Sequence, residues 1–336
     1  MNYDVSGMSQ LVSIIIVNWN GKKWLKTCFD SLLAQTYPHT EIILVDNASS
    51  DDSVSYTEAL YPSIRVIKNT QNDGFGVANM MGVAESHGEL LFFVNTDTES
   101  GPDLLQQLVQ WKQARQYHLV GPRVVTPAGA DLLQGKYLGI DVLGYPGPSE
   151  KLFYIEGCAL LIARADFLRL GGFDRTYFMY SEDIDLSWRA HLYGLSLGIC
   201  EEARLIHVGG GSSVSTNYDN KGTHTVPRLR RYEVEKNTLR NLLKNVTAGQ
   251  LLWRLPLFLV QDFCECLLYI CTGNFAMVSR VFRAIIWNII HINDTYRCRQ
   301  IIQRERTVGD RTIFCRMNRT LFKVQAFWAM GLPTFK

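Results

Sequence analysis

Leu90-Leu91-Phe92-Phe93-Val94-Asn95-Thr96-Asp97-Thr98 decides the architecture. Five consecutive apolar residues read as a strand buried on both faces, and the polar run after them falls at its carboxyl end, where open α/β sheets place ligands. Asp97 has no cation beside it in the local sequence, so its carboxylate suits a hard metal ion or a ligand hydroxyl. Capping of the strand-to-turn corner by Asp97 or Thr98 is the other use open to them.

On the amino-terminal side, residues 11–17 form a β-rich apolar run that stops at Asn18-Trp19-Asn20-Gly21. The helix that follows repeats Trp24, Cys28 and Leu32 at four-residue spacing, opposite Lys22, Lys23 and Lys26, which makes a βα unit. Residues 41–45 predict a second strand, closing in Asp46-Asn47-Ala48-Ser49-Ser50-Asp51-Asp52-Ser53. Such side chains hydrogen-bond a base or ribose, cap the next helix, or do both. Residues 64–67 predict a third strand, followed by Asn69, Asn72, Gly74, Gly76 and Asn79, where glycine allows backbone to approach a ligand. No G-x-G-x-x-G follows the first strand, which argues against a Rossmann dehydrogenase. Residues 77–84 predict a short helix.

On the carboxyl side, the Gly- and Pro-rich stretch 120–148 predicts a flexible loop over the active face. An apolar strand over 157–163 and the turn Gly171-Gly172-Phe173-Asp174 lead to Ser181-Glu182-Asp183-Ile184-Asp185-Leu186-Ser187-Trp188-Arg189. Ser181 is placed to cap a helix whose first-turn acids complement its dipole. Three acids in four residues also repel one another, which raises a carboxylate pKa where a proton is taken or a cation held. A strand over 199–206 ends in His207, either a metal ligand or a satisfied polar residue, ahead of the Gly-Ser run 209–213.

The 336 residues suffice for one large domain and an appendage, or for two domains, and their charge is unevenly spread. Residues 1–220 hold 15 Lys/Arg against 25 Asp/Glu, whereas 221–336 hold 19 against 7. An acidic part joined to a basic part fits a catalytic domain attached to a segment facing anionic lipid. The eight cysteines include no C-x-x-C pair, which reads as reduced thiols and not a zinc site. The first ten residues lack an apolar signal core, so the expected location is cytoplasmic. Beyond about residue 227, Arg228, Arg230, Arg231, Lys236, Arg240 and Lys244 line a helical stretch, and 251–292 is apolar and aromatic. Its longest uncharged run, 266–279, is too short to span a bilayer, so these helices either pack on the catalytic domain or lie in a lipid interface; basic flanks and abundant Trp, Phe and Leu favour the interface, peripheral at the inner face of the membrane. The organisation read from the sequence is a tail over 1–10, a catalytic domain over 11–225 and a basic, amphipathic helical region over 226–336.

The ordered set Val17-Asn18-Trp19-Asn20, Asp46-Asn47-Ala48-Ser49-Ser50-Asp51, the Asn72-to-Asn79 stretch, Asn95-Thr96-Asp97, Glu182-Asp183 and His207 resembles family 2 glycosyltransferases. The likeness is to rhamnosyltransferase-type and galactofuranosyltransferase-type members and covers residues 11–213. It implies the GT-A fold, an α/β architecture with a mixed, mainly parallel sheet flanked by helices. It implies that Asn18, Asp46 and Asn47 lie near the nucleotide base and ribose, with Asn72, Gly74 and Asn95 in the donor site. Asn95-Thr96-Asp97 matches the family's D-x-D element with Asn in place of the first Asp. By that likeness Asp97 and His207 would hold Mg²⁺ or Mn²⁺ on the donor diphosphate. Glu182-Asp183 matches the acidic pair, with Asp183 as the catalytic base, and Gly157, Trp188 and Arg189 are assigned to the acceptor side. The processive Q-x-x-R-W element is absent, which implies addition of one or a few sugars. The implied reaction is an inverting transfer from a nucleotide-sugar donor to a hydroxyl of a glycan or lipid-linked acceptor in cell-surface polysaccharide synthesis. Nucleic acid is not an expected partner; an oligomer is compatible with the reading. Two other readings stand beside it. A sugar-phosphate nucleotidyltransferase would need a basic, glycine-rich loop where Asn18-Trp19-Asn20-Gly21-Lys22 stands, and a membrane-bound scaffold would have kept the sheet without catalysis.

Overall fold

The apolar runs of the first part of the chain assemble into a mixed sheet, in a computed structural model that describes residues 10–131, 133, 135–208, 217–218, 224–226, 228–330 and 334–335. In chain order the elements are β1 (Val12–Asn18), α1 (Lys22–Leu33), β2 (Thr40–Asp46), α2 (Ser53–Leu60), β3 (Arg65–Lys68), α3 (Phe75–Ala84), β4 (Leu90–Asn95) and β5 (Thr98–Ser100). There follow α4 (Leu104–Arg115), β6 (Leu119–Val125), β7 (Tyr137–Ile140), β8 (Pro146–Ser149), β9 (Ala159–Ala163), α5 (Arg164–Arg169), α6 (Glu182–Leu192) and β10 (Leu197–His207). The sheet order is β3-β2-β1-β4-β9-β6-β10-β5. β3, β2, β1 and β4 run parallel, β9 is antiparallel to both β4 and β6, and β5 is antiparallel to β10.

Burial of Leu90, Leu91, Phe92, Phe93 and Val94 places β4 inside the sheet, as an all-apolar strand requires. Register then lines up the polar ends: Asn18 lies opposite Asp46, and Val17 opposite Asn95. Helix α3 packs on β1 so closely that a Cβ at Gly82 would stand 2.5 Å from Ile15 Cγ2. The stretch 120–148 is not a loop over the active face. It begins in the interior strand β6, whose Pro122 and Arg123 stand where the pairing with β10 slips between Cys200 and Arg204; a bulge is one place where a sheet accepts proline. It ends in the β7–β8 hairpin.

The chain divides into two compact units, the first being Met1–Gly135, Tyr154–Ala190 and Leu195–Ser213. The second takes Lys136–Phe153, His191–Gly194 and Val214–Lys336, and so includes the hairpin that the sequence reading grouped with the catalytic part. After two short strands, β11 (Asn217–Tyr218) and β12 (His224–Val226), it continues as α7 (Arg228–Asn245), α8 (Ala248–Cys271), α9 (Phe275–Ile290), α10 (Ile292–Glu305), α11 (Asp310–Phe314) and α12 (Phe322–Met330), closing with β13 (Thr334–Phe335). Helix α7 packs against α8, α9 and α10. Its basic residues do not form an exposed stripe: Lys236, Arg240 and Lys244 are buried. Arg240 reaches Asp294 and Thr295 at 2.6 Å, and Arg231 bridges Glu235 at 2.8 Å and Glu265 at 2.6 Å. Lys323 joins the same acids, 2.9 Å from Glu235, 3.2 Å from Asp262 and 3.0 Å from Glu265.

Candidate active site

Four strand ends, those of β1, β2, β4 and β10, and the start of helix α6 supply the polar groups, all within the first unit. At the ends of β1 and β2, Asn18 is fully buried and its Nδ2 donates to Asp46 Oδ1 at 2.9 Å, Ser49 Oγ at 3.0 Å and Ser53 Oγ at 2.9 Å. The other Asp46 oxygen accepts the Ser49 N–H at 3.0 Å. Asn47 donates to Asn72 Oδ1 at 2.7 Å and accepts from Asn69 Nδ2 at 2.9 Å and the Asp73 N–H at 3.1 Å. The structure thus brings Asn18, Asp46, Asn47 and Asn72 together, but with their polar atoms turned on one another. They hold the loops at the strand ends, and a ligand would meet the surfaces these loops present.

Gly74 has a structural reason for being glycine. Its φ is +84°, and a Cβ would stand 2.3 Å from the Phe178 carbonyl oxygen, so the close approach is to this chain's own backbone. Gly74→Ala is therefore expected to lower stability by at least about 2 kcal/mol, combining an alanine at positive φ with a backbone clash. Chemical denaturation measures it, and an unchanged midpoint would refute the packing argument.

β4 delivers Asn95, half-buried, whose N–H donates to the Cys158 carbonyl at 3.0 Å. Two residues on, β5 pairs with the end of β10, Thr98 opposite His207. That pairing sets His207 Nε2 3.1 Å from Asp97 Oδ1, both side chains buried. The local sequence offers Asp97 no cation; the sheet brings it an imidazole 110 residues away. Burial works against the His207 imidazolium, but the hydrogen bond to Asp97 and the charges of Asp97 and Glu156 outweigh it and raise the pKa.

Helix α6 delivers the acidic pair after Tyr180 and Ser181, both at positive φ (68° and 65°), which is unusual backbone for non-glycine residues. Glu182 is buried and Asp183 half-buried. Asp183 Oδ2 accepts the Gly157 N–H at 3.0 Å and Oδ1 its neighbour's N–H, that of Ile184, at 2.8 Å. Burial raises the Asp183 pKa, with the hydrogen bonds opposing it in part. Burial is the largest cause, and Asp185 adds little like charge because Arg189 neutralises it at 2.7 Å. This pairing corrects the acceptor-side assignment of two residues. Arg189 is buried, bonded to Asp185 and to the carbonyls of Leu170 and Gly172, and Trp188 is fully buried in the core. Helical periodicity turns both inward once Asp183 faces Gly157.

One continuous path now links the parts: Asp183 to Gly157, the adjacent Cys158 to Asn95, then Asp97 to His207. Glu156, which the sequence reading did not single out, lies on it. Burial pushes its pKa up to about 6, with His207 opposing the rise and Asp183 adding to it. The signal available was an isolated acid in the apolar run Phe153-Tyr154-Ile155-Glu156-Gly157. The Gly-Ser run 209–213 after His207 lies outside the described residues.

The Asp97–His207 pair fits a divalent cation by its chemistry. Two ligands bound at right angles at roughly 2.0–2.1 Å lie about 3 Å apart, near the observed 3.1 Å. One carboxylate and one imidazole leave the remaining positions for diphosphate oxygens and water, the usual way a protein holds Mg²⁺ beside a nucleotide.

Residues 13–185 match the family described as glycosyl transferase family 2. The chain is 30% identical over 228 residues to the O-antigen biosynthesis protein RfbC of Myxococcus xanthus, covering 62% of this chain but only 18% of that one. It is 25% identical over 239 residues to the N-acetylglucosaminyl-diphospho-decaprenol L-rhamnosyltransferase of Mycobacterium tuberculosis, covering 60% of this chain and 76% of that one. Among solved structures it resembles the mannosyltransferase PcManGT of Pyrobaculum calidifontis in complex with GDP-Man and Mn²⁺, with a TM-score of 0.52, 14% identity and coverage of 88% and 86%. This last likeness speaks for the fold, the mixed sheet of the GT-A type. The chain belongs to glycosyl transferase family 2.

Proposed function

We propose that the protein transfers a sugar, with inversion, from a nucleoside-diphosphate donor to a hydroxyl of a glycan or lipid-linked acceptor in cell-surface glycan synthesis. The observation that supports this reading is the path from Asp183 through Gly157, Cys158 and Asn95 to the Asp97–His207 pair, which joins a carboxylate to a carboxylate–imidazole pair at the end of the sheet where β4 and β10 finish. The rhamnosyltransferase and O-antigen names among its relatives support the glycan class. Asp97 and His207 would hold Mg²⁺ or Mn²⁺, which when bound stabilises negative charge on the diphosphate leaving group. Asp183 accepts the acceptor hydroxyl's proton as its oxygen attacks the anomeric carbon opposite the diphosphate, and one in-line displacement inverts that carbon. The two N–H donors on Asp183 fix its orientation before the acceptor arrives. Gly157 positions the base, while Trp188 and Arg189 keep α6 seated.

A thermal-shift screen across UDP-, dTDP- and GDP-sugars with and without Mn²⁺ tests the donor side. A cognate donor at about a hundred times its Kd should add roughly 2.7 kcal/mol to stability, more with Mn²⁺ than without. No stabilisation by any of them would refute donor binding. Stabilisation without nucleotide-sugar hydrolysis or transfer would favour a scaffold that has lost catalysis.

A further inference from the structure

The second unit inverts the usual arrangement of a helical assembly. Its central helix α7 buries Asn237, Thr238, Arg240, Asn241 and Asn245, while the helices packed on it turn apolar side chains outward. On α8 the exposed residues include Leu252 (80%), Val260 (58%), Phe263 (63%) and Leu267, at three-, four- and eight-residue spacings along one face. Of its charged residues Arg254 and Asp262 are buried, and Glu265 is half-buried and paired with Arg231. On α9 Phe275, Phe282, Ile286, Ile289 and Ile290 are exposed in the same way. A water-facing helix carries its charges outside and its apolar residues inside.

We propose that the outer faces of α8 and α9 lie in the interfacial layer of an anionic lipid bilayer. Charge selects this occupant over a second copy of the chain. Among the described residues from α8 onward, Arg283, Arg297, Arg304, Arg311, Arg316 and Arg319 are exposed, against the exposed acids Asp294 and Glu305. Such a surface attracts anionic headgroups and repels its own copy. Arg283 stands beside Phe282 and Arg297 beside Tyr296, so apolar and cationic groups share the exposed faces. No single helix among the described residues is long and apolar enough to cross a membrane, and the one pair that is so by length and composition, α9 with α10, is bent by 67°, so in this proposal the helices lie along the surface. This inference goes beyond the transfer reaction, and its test needs no substrate.

The test is sedimentation of the full-length protein with phosphatidylcholine vesicles, with and without phosphatidylglycerol, at low and high salt. Binding to the anionic vesicles should be strong and partly released by salt, since screening acts on the charges and not on the apolar contacts. Arg283→Gln with Arg297→Gln should weaken anionic-vesicle binding by about thirtyfold, a factor of about five for each charge. Phe263→Gln with Phe282→Gln should weaken binding to both vesicle types by at least about tenfold. Leu252→Gln with Val260→Gln is a second pair, used in place of the first if circular dichroism shows that the phenylalanine variant has lost its helices. Negligible binding of the parent to both vesicle types overturns the proposal. So does a dimer in sedimentation velocity that the glutamine variants dissociate while none of the proteins binds vesicles.

Discussion

Asp183→Asn is expected to retain donor binding and lose roughly a hundred- to ten-thousand-fold in kcat, because the amide keeps the carboxylate's shape but cannot take a proton. The replacement is conservative for the fold. The introduced amide can keep the Gly157 N–H on its oxygen at the loss of the Ile184 N–H bond, so the donor-induced thermal shift should persist while turnover falls. The pH dependence supplies a second readout on the parent enzyme. A base acts ionised, so kcat/KM should fall as pH drops through the Asp183 pKa. Because burial raises that pKa, this acid limb should lie above the range of an ordinary aspartate. Near-normal turnover of the variant would remove Asp183 from the base role; a limb at the ordinary aspartate pKa would show that the base is solvated.

Asp97→Ala is expected to abolish most Mn²⁺-dependent stabilisation by the donor, with a smaller loss for His207→Ala. A carboxylate contributes charge to a hard cation, whereas a neutral imidazole contributes one lone pair. Groups that merely support a metal ligand are worth about ten- to a hundredfold in affinity, so removal of the carboxylate itself should exceed that range. His207 in the Asp97→Ala variant also loses the hydrogen-bond partner that raises its pKa. Titration of Mn²⁺ into the protein with and without UDP-sugar separates the effects. If both variants bind metal and donor as the parent does, the cation site lies elsewhere.

Residue order alone determined β1, β2, β3, β4, β9 and β10 and what ends them, but not β5 or the strands within 120–148. Five apolar residues before Asn95-Thr96-Asp97 have no stable home except a strand buried on both faces, and burial of β4 follows from that. The alternation of such runs with amphipathic helices determined the α/β class, and the ordered acids and asparagines carried the family likeness that residues 13–185 support. These are local properties, readable because backbone periodicity and transfer free energy act within a few residues.

Only tertiary structure decided which polar groups face one another. The Asp97–His207 pair exists because β5 turns back and pairs antiparallel with β10, a long-range register that no local pattern contains. The same packing buried Trp188 and Arg189 in the core and recruited Glu156 beside the site, whereas the Asp185–Arg189 pair, four residues apart on α6, is local. It closed Asn18, Asp46 and Asn47 into a network of their own. In the second unit it buried Lys236, Arg240 and Lys244 of α7, and left the apolar faces of α8 and α9 outside. Composition counts charges; which way a helix turns them depends on what the rest of the chain offers to pair with them.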